Sequence, residues 1–319
     1  MKKRFLPFLT AILVLLPLLG GCASYKTDSD GRLSVVAVTF PPYDFARAIA
    51  GEHASVTMLL NPGTETHSYD PTPQDIRRIS DCDILIYGGG KSDEWMDSIL
   101  DSMDTEKITV ISMTDLVDLL EEETKEGMTA APHAHGDEDT HAHDTYDEHV
   151  WTSPSNAAEI TAAICEAMCH ADEANASVYR DNAAAYMDEI KKLAADFSAM
   201  TAAAPRRTVI FADRFPFLYF AREFALDYYA AFPGCAEQTE PGAQTIAFLT
   251  KKVAEEKIPA VFYTEFSNQQ LADSICEATG AQKLLMHSCH NVSKSDFDAG
   301  VTYLSLMREN LENLRKALN

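Results

Sequence analysis

Short apolar runs of strand length alternate with polar-faced helical stretches along this chain. Residues 33–39 (Leu-Ser-Val-Val-Ala-Val-Thr) form a nearly continuous apolar run that predicts a buried strand, and a helix follows Pro41-Pro42 over about residues 43–50. Further strands are expected at 56–60, 84–88 and 108–111, with polar helical segments between them. That alternation predicts an α/β lobe built on a largely parallel sheet.

The pattern changes over residues 172–200. Tyr179, Ala183, Tyr186, Ile190, Leu193, Phe197 and Met200 recur at alternating spacings of four and three, the stripe of one long amphipathic helix that Pro205 ends. A second α/β series then begins, with strands at 208–212, 260–264 and 283–286. Its last helix carries Leu304, Met307, Leu311, Leu314 and Leu318 on one face. The expected architecture is two α/β lobes joined by a single long rigid helix: an N-terminal lobe at 33–171, the linking helix at 172–204 and a C-terminal lobe at 205–319.

The extreme N-terminus fits neither lobe. Lys2, Lys3 and Arg4 precede an apolar run over 5–19, too short to span a bilayer, which closes on Leu19-Gly20-Gly21-Cys22. Residues 1–21 therefore read as a lipoprotein signal peptide, Cys22 as the lipidated residue that anchors the protein to the membrane on its extracytoplasmic side, and 22–32 as a tether. No later segment reaches the ~18 apolar residues of a membrane helix. The formal charge of −23 disfavours nucleic acid and favours cations. Of seven cysteines, six remain beside Cys22, an even number in a disulfide-permissive compartment; their pairing cannot be read, and Cys165 and Cys169 equally suit small buried hydrophobes.

The ten histidines are distributed very unevenly. His133, His135, His141 and His143 form two His-Ala-His pairs inside 121–148, an acidic, low-complexity stretch without apolar periodicity that is expected to be a mobile surface loop. Imidazoles and carboxylates so interspersed suit weak, exchangeable metal collection. His67 lies on a Gly/Pro-rich loop after a strand, where open α/β sheets bind ligands. His149 directly precedes a helix start, with Ser153 as the cap and Pro154 in the first turn.

Gly63-Thr-Glu-Thr-His-Ser-Tyr-Asp-Pro-Thr72 and Asp147-Glu-His-Val-Trp-Thr-Ser-Pro154 resemble the G-x-E-x-H-x-Y-x-P-T and D-x-H-x-W-x-S-P patterns of the metal-binding substrate-binding proteins of ABC importers, which carry zinc, manganese or iron. The resemblance runs from about Leu33 to the C-terminus, and the histidine-rich stretch resembles the loop of the zinc-uptake branch. It implies two α/β lobes bridged by a rigid helix, with the metal site in the interlobe cleft and each lobe supplying two ligands. His67 and His149 then correspond to the N-lobe pair.

For the C-lobe, the family places a ligand at a strand end in a motif that 209–219 resembles, where Asp213 is the residue able to coordinate a cation, since Arg214 keeps its proton. Manganese members carry a carboxylate at this place. The last ligand follows a Thr-Gly pair by some ten residues. Thr279-Gly280 puts His290 there, with His287 and Cys289 close enough to compete and Glu265 as a hydrogen-bond acceptor behind the ligands. Three imidazoles and one carboxylate make a closed tetrahedral site suited to Zn2+.

The resemblance thus implies a monomeric carrier that captures Zn2+ and hands it to an ABC permease driven by a separate ATPase. The chain shows no G-x-x-x-x-G-K-[ST] phosphate loop of its own. A manganese or iron carrier is the alternative within the family. A zinc hydrolase would need an open water position and has no H-E-x-x-H helix to supply it; a surface adhesin would lack a tight metal requirement.

Overall fold

The computed structural model of the protein describes residues 31–64, 69–129, 146–236 and 240–319. The expected signal segment and Cys22 lie outside the described residues. In the N-lobe, strands β1 (Leu33–Ala37), β2 (Ala54–Met58), β3 (Ile84–Tyr87) and β4 (Thr109–Ser112) alternate with helices α1 (Phe40–Ala50), α2 (Pro73–Ser80) and α3 (Glu94–Ser102). The sheet order is β2-β1-β3-β4 with every pair parallel. Val35, Ile84, Leu85 and Ile86 are fully buried, as parallel strands covered on both faces require.

Helices α4 (Pro154–Ala171) and α5 (Ala176–Ala203) lead to the C-lobe. There β5 (Thr208–Phe215), α6 (Leu218–Glu223), β6 (Asp227–Pro233), α7 (Ala243–Glu255), β7 (Ala260–Tyr263), α8 (Gln270–Thr279), β8 (Gln282–Leu285), α9 (Lys294–Asp298) and α10 (Tyr303–Leu318) follow. Its sheet, also all parallel, runs β6-β5-β7-β8. Strand β6 was not expected: Asp227-Tyr-Tyr-Ala-Ala-Phe-Pro lacks the aliphatic β-branched run that marks its neighbours, and it becomes a strand by pairing at the sheet edge with β5. Helix α1 begins earlier than expected, at Phe40, because Pro41 and Pro42 occupy first-turn positions where a missing N–H costs nothing.

The 28 residues of α5 extend roughly 40 Å. Six of the seven stripe residues, Tyr179, Ala183, Ile190, Leu193, Phe197 and Met200, are buried, and Tyr186 is half-buried beside Phe45. One hydrophobic core runs along this face from Val35 and Ile84 in the first sheet to Phe211 and Phe262 in the second. Both lobes accordingly belong to one compact unit, Arg32–Asn319.

The C-terminal segment returns to strengthen that union. Asp44 on α1, buried from solvent, accepts hydrogen bonds from Arg47 Nε at 2.7 Å, from the Tyr186 hydroxyl of α5 at 2.7 Å and from the Tyr303 backbone N–H of α10 at 2.8 Å. Arg47 also donates to the Val301 carbonyl. A carboxylate thus clasps three helices, the joining helix α5 among them.

The six cysteines beyond Cys22 are free, five of them buried. Cys165 and Cys169, whose sulfurs lie 3.9 Å apart, pack as apolar side chains in the core. Among the described residues no helix is long and apolar enough to cross a membrane.

Removing the clasp strands a guanidinium, a phenol and a helix N-terminal N–H together. Asp44→Ala is expected to cost about 3 kcal/mol, read from the urea midpoint at unchanged m-value; a loss below about 0.5 kcal/mol contradicts the clasp.

Candidate metal centre

A cavity of about 50 Å³ opens between the lobes. That is room for an ion and a few waters and too little for an organic ligand. Its wall includes His149, His290, Glu265, Arg214, Thr264 and Thr64. These residues follow strands of both sheets or, in Arg214, sit near the end of one, so the cavity lies at the carboxyl edges of two parallel sheets.

His149 is almost completely buried, at 1 % exposure. It opens a 3-10 turn, Val150–Thr152, that runs directly into α4. Ser153 Oγ accepts from the Asn156 N–H and Pro154 fills the first helical position, so the segment that carries His149 is rigidly seated. Asp147 Oδ1 accepts from the His149 backbone N–H at 2.8 Å and contacts ring Nδ1 at 2.9 Å. A carboxylate in that position fixes the tautomer and orients the ring, as it does for metal-ligating histidines.

More acid stands behind it. Glu148 is buried and accepts from the Ser92 N–H at 2.8 Å and from the Ser92 hydroxyl. Asp93 accepts from the Gly88 and Gly89 N–H groups. Burial, assisted by the charge of Glu148, pushes the Asp93 carboxyl up to about 7, and burial likewise raises Glu148. Burial by itself would lower the His149 imidazole. The charge and hydrogen bond of Asp147, with Glu148 and Glu122 farther off, outweigh it and hold His149 above its ordinary value.

His290 approaches from the C-lobe. Its ring centroid is 5.3 Å from that of His149, nearly perpendicular, and 4.8 Å from Trp151. The Trp151 indole N–H donates to the Ser288 carbonyl at 2.8 Å, which pins the loop after β8 to the N-lobe turn. Of the three neighbouring donors singled out from the sequence, His290 alone is on the cavity wall. His287 Nδ1 accepts from the Cys289 N–H at 2.9 Å, and its backbone is bracketed by the Asn310 amide. Cys289 is fully buried and sits at φ 63°, the left-handed turn residue that directs the two histidines apart.

Asp213 is not on that wall. Its Oδ2 accepts from the Thr264 N–H at 3.1 Å and Thr264 Oγ1 at 2.8 Å, while Oδ1 accepts from the Arg214 N–H at 2.8 Å. The physical reason is that the Thr264 N–H and hydroxyl, just after β7, take Oδ2; β5 is irregular in register between Phe211 and Arg214, and Arg214 lines the cavity instead. Glu265, expected to accept hydrogen bonds behind the ligands, does bind the Ser288 N–H at 2.8 Å and the Ser288 hydroxyl, and is also part of the wall.

His67, His133, His135, His141 and His143 lie outside the described residues. Thr64, three positions before His67, is on the wall, and Asn291 Nδ2 donates to the Asn61 and Thr64 carbonyls from the opposite lobe. The ends of the expected surface loop are ordered parts of the structure: Glu122 accepts from the Cys235 N–H, the Thr129 N–H donates to the Ala231 carbonyl, and Asp147 and Glu148 are buried. An acidic composition concealed that docking. Cys235, buried and within reach of His149, was also missed; its one signal in the sequence is a Gly-Cys pair at the end of an apolar segment.

Residues 35–317 match the family model ZnuA, zinc-uptake complex component A periplasmic. The chain belongs to the ZnuA family. It is 30% identical over 296 residues to the zinc-binding lipoprotein AdcA of Streptococcus pneumoniae strain R6, covering 92% of this chain and 57% of AdcA, so it spans little more than half of that relative. It is 27% identical over 314 residues to the high-affinity zinc uptake system protein ZnuA of Bacillus subtilis, covering 98% and 96% of the two chains. The crystal structure of the Zn(II)-bound ZnuA-like domain of S. pneumoniae AdcA superposes with a TM-score of 0.74 at 26% identity, over 90% of this chain and 99% of that one. Two parallel-sheet lobes with a joining helix are thus the ZnuA-family fold.

A protonated imidazole cannot coordinate a cation. Because His149 is held above the ordinary imidazole value of about 6.5, proton competition should weaken metal capture already above that pH as pH falls. Asp147→Asn removes the charge that raises His149, so the onset should move to lower pH, while loss of ring orientation weakens zinc about 10–100-fold at neutral pH. Chelator competition between about pH 5.5 and pH 8 reads both effects; unchanged onset and affinity would refute the role of Asp147.

Proposed function

We propose that this ZnuA-family protein is an extracytoplasmic carrier that captures Zn2+ in the interlobe cleft and delivers it to the permease of an ABC importer, whose separate ATPase supplies the energy. The reading rests on one observation above all: two buried imidazoles, His149 from one lobe and His290 from the other, meet at 5.3 Å across a cavity of ionic size. Zinc accepts imidazole nitrogen and carboxylate oxygen in a four-coordinate shell. The proposed donors are His149, His290, His67 by its position in the sequence, and a C-lobe carboxylate.

For that carboxylate Glu265 is preferred to Asp213 because Glu265 lines the cavity and Asp213 does not, although neighbours bond both. Arg214 adds a fixed positive charge to the wall. Asp147, Glu148 and Glu122 place negative charge behind His149 and offset it. Three nitrogens and one oxygen favour zinc over manganese, which prefers more oxygen. The relatives' names, a zinc-binding lipoprotein and a zinc uptake system protein, agree with this cargo. The protein acts as a monomer, held at the membrane by lipidated Cys22, and performs no catalysis.

Competitive titration with zinc and manganese tests the whole reading. His149→Ala and His290→Ala should each weaken zinc more than about 100-fold, beyond the loss typical of an outer partner. Glu265→Gln should cost about 10–100-fold and Asp213→Asn about twofold or less. Tight zinc binding that survives both histidine substitutions rejects the site; preference for manganese rejects the cargo; a larger loss at Asp213 than at Glu265 reverses the carboxylate assignment.

A further inference from the structure

His149 has a second side. Ring Nδ1 faces Asp147 beside Gly234 of the cavity wall, and the turn after β6 brings Cys235 to the same place. One ligand atom each from Asp147, His149 and Cys235 lie within 4.8 Å of one another, and all three residues are buried. Cys235 takes part in no disulfide.

The backbone is built for this approach. Gly234 carries Cys235 past the histidine, and a Cβ at Gly234 would come within 3.0 Å of the Phe215 carbonyl, 3.1 Å of Asp147 Oδ2 and 3.4 Å of His149 Nδ1. Any larger residue would push the turn, and the thiol with it, away. Glu122 Oε1 holds the turn from the other side by accepting the Cys235 N–H at 2.8 Å.

We propose that Asp147, His149 and Cys235 form a second, inner station for a thiophilic divalent cation, zinc by class, distinct in its donors from the cleft pair except for the shared His149. Zinc bonds of about 2.0–2.3 Å set ligand atoms roughly 3.4 Å apart in a tetrahedron. The Asp147–His149 contact of 2.9 Å must open by about half an ångström, and no separation in the trio has to close by more than about 1.4 Å. As the ion binds, the Cys235 thiol proton leaves to solvent, the His149 proton passes from Nδ1 to Nε2 so that Nδ1 can bond the ion, and a water completes the shell. The inference rests on the carrier reading for the source of the ion, but its chemical signature is its own.

Cobalt(II) titration of the reduced full chain supplies that signature, because thiolate ligation produces a near-ultraviolet sulfur-to-cobalt charge-transfer band that nitrogen and oxygen ligands do not. The band should appear in the wild type, disappear in Cys235→Ser and Cys235→Ala, and persist in Cys289→Ser and His290→Ala. No band in the wild type, or a band that survives both Cys235 substitutions, overturns the station. Loss in His290→Ala would mean that the thiolate serves the cleft ion, which overturns a separate site. Melting temperatures of the variants exclude misfolding as the cause of a lost band. Zinc affinity measured alongside separates the two readings: tight zinc that depends on His290 without a thiolate band leaves the carrier intact and removes the inner station.

Discussion

A buried indole sets the width of the cleft. Trp151 lies against His149 and His290, with ring centroids at 5.5 Å and 4.8 Å, and its N–H reaches across the lobes to the Ser288 carbonyl. The Tyr303 hydroxyl at the start of α10 closes the arrangement by donating to the Trp151 carbonyl. Two imidazoles on separate lobes are thereby held at a distance that one ion can bridge. The ordering of each side chain, worth about 0.5–1.5 kcal/mol, is met by folding and not by the cargo.

Rigidity of this kind needs a core that does not stop at the lobe boundary. The stripe on α5 provides it, since Ile190, Leu193 and Phe197 belong to the same apolar cluster as residues of both sheets. Asp44 adds directional bonds to the same union, joining α1, α5 and α10 through a buried carboxylate. Apolar contact supplies the stability, and the polar clasp specifies which helix faces meet. The cleft inherits its geometry from both.

Much of this was legible in the sequence because it depends on periodicity. The α5 stripe, the four strands of the first sheet and the apolar face of α10 all follow from spacing and burial, which a sequence displays directly. Ser153 and Pro154 were equally readable as a helix start, and His149 inherits its position from them. What could not be read is whatever depends on a register shift or on a turn. Asp213 turns to Thr264 while Arg214 lines the cavity, beside a register irregularity in β5 that no count of residues reveals. His287 and His290 are separated in placement by Cys289 at positive φ, a conformation that a cysteine does not advertise. Strand β6 and the docking of the acidic stretch onto it were hidden together, since each exists only through its neighbour.

The proposed carrier, built this rigidly, must still release its ion, and the two places where the lobes meet differ in cost. Parting the lobes would expose the continuous core along α5 at about 25 cal/mol per Å² of apolar surface, several kcal/mol for even a modest opening. The N-lobe loop over residues 61–64 meets the C-lobe differently. Asn291 Nδ2 donates to the Asn61 and Thr64 carbonyls, and the Gly63 N–H donates to the Val292 carbonyl. Among the described residues, these three hydrogen bonds of about 0.5–1.5 kcal/mol net each hold that side, and Asn61 and Gly63 are exposed, so water can take the partners' place. A carbonyl at this loop can exchange Asn291 for water, whereas apolar surface parted along α5 finds no partner in water. Thr64 of the loop lines the cavity, while Trp151 holds the loop after β8 to the N-lobe turn at a separate point, so the spacing of His149 and His290 is fixed away from the loop.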